Sequence, residues 1–383
     1  MTDIERILPL WRELKAASAD YVLATVVAVE GSSYRKPGAC MLLAPDGRRA
    51  GTVSGGCLES DVARRAWWLT ENGPVVQRYS SIEEDGDLPY GSGCGGVIHL
   101  LLERRPTAGP LLMALEQAFE LRIPLAVATI LEGPEIARRA FAGLPNIAVK
   151  NSEAGNGCND LQSVADTALE RRISIEGAAF IGGTETRAWA DFRPARPGLW
   201  IFGAGDDAIP LLALAKEMGW FVSVSDGRSQ LATRSRFSMA DSVNVLRLNE
   251  LAAHHFSQPP PALADLKPTD AALVLTHSFD QDAHALAALL SLNIPLTYIG
   301  VLGPQRRTRE LLAEAARLLD LPANDAQIDR WLEQLHAPMG LDLGAESPET
   351  IALSVIAEIQ QSLTAASALP LRQVRGASLT VPS

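Results

Sequence analysis

The sequence predicts an α/β protein in two parts: a strand-rich α/β N-terminal domain, then a domain built on a doubly wound parallel sheet. Three observations carry this reading. From Leu199 onward, short apolar runs alternate with helical ones, the order that produces a parallel sheet covered on both faces. Before Pro106, β-branched runs are separated by turn signals, such as PDGR between CMLLA and AGTV, which reads as hairpin strands. Between them RPARPG (193–198) is a proline-rich break.

The elements follow in order. Ile4, Ile7, Leu8, Trp11 and Leu14 recur at helical spacing, so the chain opens on an amphipathic helix. YVLATVVAVE (21–30) is a long strand. A helix runs from about Leu58 to Leu69, with Leu58, Val62 and Trp68 or Leu69 inward. VVQRY and VIHLLLE close this part as strands. A helix over 109–121 and a strand over 123–130 come next, and ELRIPLAVATILEG echoes SADYVLATVVAVEG as a faint internal repeat. NSEAGNGCND is loop-like, with Cys158 a bystander. LWIFGAG is then strand and glycine loop, DDAIPLLALAKEMG a helix, and WFVSVSD, SVNVL, AALVLTH and TYIGVLG are buried strands. The expected domains are 1–105, an intermediate region and linker over 106–197, a doubly wound domain over 198–361 and a disordered tail over 362–383.

Composition narrows the function. The chain has 383 residues, 47% hydrophobic and 21% charged, with a net charge of −11. That balance argues against nucleic-acid binding, which needs a basic face. No run reaches the roughly 18 apolar residues of a membrane span, and the opening helix does not read as a secretory signal. Four cysteines in so long a chain are no disulfide framework. The expected compartment is the reducing cytoplasm, where they are thiols.

GAGDDA places Gly203 and Gly205 between a strand and a helix, and Asp226 ends the next strand 21 residues after Gly205. Small residues let backbone N–H groups approach a pyrophosphate at the helix N-terminus, and the acid suits a ribose hydroxyl. This is a Rossmann-type arrangement and predicts a nucleotide; the alternative is a Rossmann-type fold whose site has decayed or been re-used. Asp206 and Asp207 at the helix start would repel phosphate, unless they simply cap the helix. His277 and Asp282, in THSFDQD, end on the same sheet edge, as do Arg306, Arg307 and Arg309, which read more readily as a solvated face.

Two cysteines stand on bare glycine backbone, Cys57 in SGGCLES and Cys94 in GSGCGG. Cys57 falls at or beside a helix N-cap, where the helix dipole favours thiolate. Glu59, in the first turn, fits the same dipole but opposes the thiolate. Both cysteines read as reactive thiols or soft-metal ligands. The GSSYRKPGA loop (31–39) adds the Ser32 and Ser33 hydroxyls and the Arg35 and Lys36 cations, a set suited to a phosphate or to a plain polar hairpin. Cys40 starts a strand and is expected buried.

VVAVEGSSYRKPGACMLLAPDGRRAGTVSGGCLESDV followed by GSGCGG resembles the N-terminal domain of the xanthine dehydrogenase accessory factor family, XdhC/CoxI. LWIFGAG…VSDGR, THSFDQD…YIGVLG and PMGLDLGAESPETIALSVIAEI resemble its Rossmann-type C-terminal domain. The resemblance covers roughly 10–105 and 198–360. It implies a chaperone, not an enzyme, that binds the molybdenum cofactor (molybdopterin) as cargo and protects it while a cysteine desulfurase installs the terminal sulfur. Delivery is to a xanthine dehydrogenase-type apoenzyme. The candidate cofactor-binding set read from these loops is Ser32, Ser33, Arg35, Cys57, Glu59, Cys94, Gly203, Gly205, Asp226, His277 and Asp282, with Cys57 and Cys94 at the metal. A homo-oligomer is also expected, and NAD(P) or another nucleotide at the Rossmann-type site. Family members carry a histidine after the glycine loop where this chain has Asp206. The rival reading is an NAD(P)-dependent oxidoreductase using Cys57 or His277.

Overall fold

The computed structural model describes residues 3–56, 58–80, 96–145, 158–181, 183–247, 263–292 and 294–376. The chain divides into two compact units, Met1–Arg196 and Pro197–Ser383.

The first unit runs α1 (Asp3–Ala16), β1 (Val22–Glu30), β2 (Cys40–Leu43), β3 (Arg49–Gly51), α2 (Glu59–Leu69), β4 (Val75–Ser80), β5 (Val97–Arg104). It continues with α3 (Arg105–Leu121), β6 (Leu125–Ile130), β7 (Arg139–Ala142), α4 (Cys158–Arg171), β8 (Ile175–Ile181) and β9 (Thr184–Arg193). The strands make two antiparallel sheets, β3-β2-β1-β5-β4 and β7-β6-β9-β8. The apolar run of β1 is nearly continuous because both of its faces are covered. Val22, Ala24 and Val26 face α2 through Val62 and Ala66, while Leu23 faces α1 and α3. Helices α1 and α3 lie between the sheets, packed on Leu23 and Leu42 from one and on Leu125, Val127 and Phe141 from the other. Helix α4 covers the outer face of the second sheet through Leu161, Ala165 and Ala168. Of the two residues expected inward as alternatives, Leu69 packs against the core while Trp68 is 69% exposed, and Ala66 is buried beside Val62.

One plan is used twice. Apart from β3, an edge strand found only in the first half, helix, two strands, helix, two strands describes α1-β1-β2-α2-β4-β5 and equally α3-β6-β7-α4-β8-β9. Matching them in order turns β2-β1-β5-β4 into β7-β6-β9-β8, which is the observed order of the second sheet. The registers match as well. Thr25 pairs with Cys40 as Thr129 pairs with Arg139, and Leu23 pairs with Glu103 as Val127 pairs with Asp191. The echo between the two sequence segments is this duplication.

The second unit carries β10 (Gly198–Phe202), α5 (Ala208–Glu217), β11 (Phe221–Asp226), β12 (Ser242–Val245), β13 (Ala271–Val274), α6 (Phe279–Ser291) and β14 (Tyr298–Val301). After these come α7 (Gln305–Leu318), α8 (Asp325–Leu332), α9 (Pro348–Thr364) and a short α10 (Leu371–Gly376) in the tail expected to lack structure. The strands pair in parallel, in the order β12-β11-β10-β13-β14. Helices α5 and α9 cover one face, and α6, α7 and α8 the other. The sheet is doubly wound, and its order reverses between β10 and β13. That reversal opens a crevice at the C-terminal strand ends. Among the described residues no helix is long and apolar enough to cross a membrane.

Candidate functional site

Two places gather the residues singled out by sequence, one in each unit. In the first unit they lie where β1 ends and β5 begins. Glu30 and Val97 are register partners, so the loops that follow β1 and precede β5 start side by side. A Cβ on Gly96 would run into the Ser32 carbonyl oxygen, so only glycine lets these two loops close. Gly55, in the loop before α2, lies under the Tyr34 ring, whose nearest atom is 3.7 Å from where a Cβ would stand. Three loops therefore meet here: 31–38, 52–58 and the one that ends at Gly96. Cys57 and Cys94 themselves lie outside the described residues. Among those residues no group of three or more His, Cys, Asp or Glu could hold a metal.

The loop before α2 is held from inside. The Glu59 carboxylate is buried, 2% exposed, and faces the loop backbone. Its Oε1 accepts from the Val53 and Ser54 amides at 3.2 and 2.9 Å, and Oε2 accepts from the Ser54 hydroxyl at 2.5 Å. Ser54 Oγ in turn accepts from the Gly56 and Leu58 amides, each at 3.1 Å. Both sequence neighbours of Cys57 thus donate to one oxygen. Burial pushes the Glu59 carboxyl up, but the bonds from the Ser54 hydroxyl and from the Ser54 and Val53 amides outweigh it. Its pKa lies below the ordinary glutamate value. Gly56 has φ +116°, which explains the glycine beside the cysteine.

Of the loop over 31–39, Ser32 and Lys36 are exposed and Tyr34 is 77% exposed. Ser33 Oγ is buried and has no partner among the described residues. Arg35 is taken up by an ion pair with Asp3, and its Nε has no partner among the same residues. Cys40 is fully buried. His99 lies in the apolar strand β5, but its Nε2 reaches the Glu30 carboxylate at 2.7 Å.

In the second unit the glycine loop follows β10. Gly203 has φ +132°, and a Cβ there would strike the Leu275 carbonyl oxygen, so this glycine serves the close approach of β10 and β13. Asp226, at the end of β11, accepts from the Ala204 amide and Arg228 Nη2 through Oδ2, at 2.7 and 2.8 Å. Its Oδ1 accepts from the Arg228 amide and Nε at 2.8 and 2.9 Å. Burial raises its pKa, the Arg228 side chain and amide and the Ala204 amide lower it, and the net position is below the usual aspartate value. Arg236 donates to the Ala204 carbonyl and to Asp206 Oδ1, each at 2.6 Å. His277, with φ +61°, places Nε2 2.8 Å from Asp207 Oδ2 across the crevice. Asp207 makes no capping bond to α5. Asp282 is buried and accepts from the Thr276 amide and hydroxyl and from Arg307 Nη2.

The structure thus gathers Gly203, Gly205, Asp226 and His277 on one sheet edge, with Asp282 pinning the turn that carries His277. Sequence reasoning did not single out Ser54, Arg228 or Arg236. Ser54 precedes Glu59 by five residues, outside the spacing of a capping box. Arg228 follows Asp226 by two and reads in sequence as an ordinary surface cation.

Known proteins match both units. Residues 14–80 match the XdhC and CoxI family, and residues 199–359 match the XdhC Rossmann domain. The chain is 32% identical over 354 residues to a protein of Bacillus subtilis described as a probable subunit of xanthine dehydrogenase, covering 89% of this chain and 92% of that protein. It is 34% identical over 137 residues to the molybdenum cofactor insertion chaperone PaoD of Escherichia coli, covering 33% of this chain and 40% of PaoD. The crystal structure of a xanthine dehydrogenase from Bacillus halodurans superposes with a TM-score of 0.67 at 27% identity, over 98% of this chain and 99% of that one.

Proposed function

Because the chain belongs to the XdhC and CoxI family, we propose that it is a molybdenum cofactor chaperone serving a xanthine dehydrogenase-type molybdoenzyme. In this reading it binds the cofactor as cargo, shields it while a cysteine desulfurase installs the terminal sulfur, and releases it to the apoenzyme. The observation that carries the reading is the meeting of loops 31–38, 52–58 and Gly96 at one end of the first sheet. Soft thiolate and hard anion contacts are then available within one neighbourhood, which a molybdenum–dithiolene with a terminal phosphate requires. Cys57 is the residue that handles molybdenum or sulfur, and Cys94 assists it. The Ser32 and Ser33 hydroxyls and Lys36 serve the phosphate end. Arg35, held by Asp3, keeps the loop in place. Glu59 and Ser54 act as positioning residues, since their bonds end on the amides either side of Cys57. The resemblance to PaoD supports the cargo, and the resemblance to the Bacillus subtilis protein supports the client.

The test is cofactor content of the isolated protein and client activity in cells carrying Cys57→Ala, Cys94→Ala or both. Cys57→Ala folds and loses most of its cofactor, and Cys94→Ala shows a milder loss. Full loading and full client activity in the double variant would overturn the thiolate role.

A further inference from the structure

The fold implies a dinucleotide in the second unit, and the residues at the crevice can be tested against one. A pyrophosphate needs bare backbone at the second glycine of the loop, and a ribose needs a free acceptor on the acid that ends the next strand. Neither is open here. Over Gly205 stands Asp207: its Oδ1 is 2.6 Å from where a Cβ would be, and the His277 ring is 3.7 Å from the same point. The Asp207–His277 pair therefore fills the seat that a pyrophosphate would take. Asp206 adds a second carboxylate, 92% exposed, at the start of α5. A carboxylate has about four lone-pair sites. In Asp226 they receive the Ala204 amide and three donors of Arg228, so none remains for a ribose hydroxyl. Arg236, the cation that reaches the loop from the far side, is spent on the Ala204 carbonyl and Asp206.

We infer that this Rossmann-type crevice excludes dinucleotides, and that Asp206 and Asp207 set the exclusion. Two carboxylates face a doubly anionic group at the site where the fold would otherwise supply only amide donors. The parallel sheet has kept its glycine loop for packing, since Gly203 makes room for Leu275, while the anion seat is occupied by the protein's own side chains. This separates the chain from NAD(P)-dependent oxidoreductases of the same fold. It does not depend on the cargo assigned to the first unit.

The full-length protein is titrated with NADH and with NADPH at physiological salt, following nicotinamide fluorescence. The wild type gives no saturable signal at millimolar dinucleotide. The Asp206→Ser, Asp207→Ser double variant binds NADH at least about tenfold more tightly than the wild type. Asp206→Asn, altered at an exposed side chain and so safe for folding, gives a smaller gain. Saturable NADH or NADPH binding by the wild type overturns the inference. So does a double variant with an unchanged melting temperature and no gain, or, if that variant does not fold, an unchanged Asp206→Asn. Cofactor loading, measured on the same samples, reports separately on the proposed function.

Discussion

The two halves of the first unit share one architecture and differ in what hangs from it. In the first half the connection from β4 to β5 is the sixteen residues 81–96, which include Cys94; in the second half β8 and β9 are joined by residues 182 and 183 alone. The loop before α2 is built around Ser54 and Glu59, both buried. The corresponding helix α4 begins at Cys158. The family signature, residues 14–80, falls on the first half. The duplicated scaffold thus carries different connections in its two halves. The second half holds the first in shape, and it does so reciprocally. Arg139 of β7 grips Glu103 of β5, while Gly38, beside the start of β2, is gripped by Arg193 of β9 through its carbonyl at 2.7 Å. Since Cys40 corresponds to Arg139 and Glu103 to Asp191, each half offers the same positions to the other. The chemistry at those positions differs: an ion pair between the halves on one side, a thiol beside the Arg193–Asp191 pair on the other.

That asymmetry can be broken at several points. The largest effect is expected at Arg139–Glu103, where both side chains are essentially buried. Arg139→Ala leaves an unpaired buried carboxylate and lowers stability by roughly 3–5 kcal/mol, read from denaturant unfolding. Arg193→Ala removes the hydrogen bond to the Gly38 carbonyl and the ion pair with Asp191, which is buried but keeps the Ser174 hydroxyl, at about 1.5–3 kcal/mol. Equal losses would mean that the two junctions are energetically the same.

Next in size is the pair of positive-φ glycines. Gly56→Ala and Gly183→Ala each force an L side chain into the left-handed region, at about 1–2 kcal/mol. Only Gly56→Ala lowers cofactor content, because only that loop is proposed to handle cargo. An equal drop in loading for Gly183→Ala would erase the functional difference between the halves.

The smallest expected effect is a pH dependence. The folded-state pKa of Glu59 is depressed below its ordinary value of 4.5. Its contribution to stability is therefore fully present above that value and is lost as pH falls through the folded-state pKa. Glu59→Gln flattens this acid limb of the melting curve. An acid limb as steep as the wild type's in Glu59→Gln would show that another carboxylate carries it.

Much of this was legible in the sequence, for physical reasons. Alternating apolar runs forced the parallel sheet, because β13, with Ala271, Ala272, Leu273 and Val274 all buried, has no polar side to present. The faint echo between residues 18–31 and 120–133 reported a real duplication. What sequence could not reveal is which acids are spent on their own backbone. Glu59 and Asp226 are surface-like residue types, and nothing local distinguishes a carboxylate waiting for a ligand from one saturated by neighbouring amides. Arg228 and Arg236 decide that at the glycine loop, and Arg236 lies 30 residues from the aspartate it pairs with. Trp68 misled for a simpler reason: adjacent tryptophans on a helix cannot both face the core, and Trp67 is the one that meets Arg104.

The bond from Arg193 to Gly38 spans 155 residues of chain. On the ribosome, at about 5–20 residues per second, roughly 8–30 s separate the synthesis of its two ends. During that interval the loop of residues 31–38 has its partner Asp3 but lacks its clamp from β9. The first half is thus made early and finished late. The loop proposed to meet the cargo therefore acquires this anchor only when the scaffolding half has emerged.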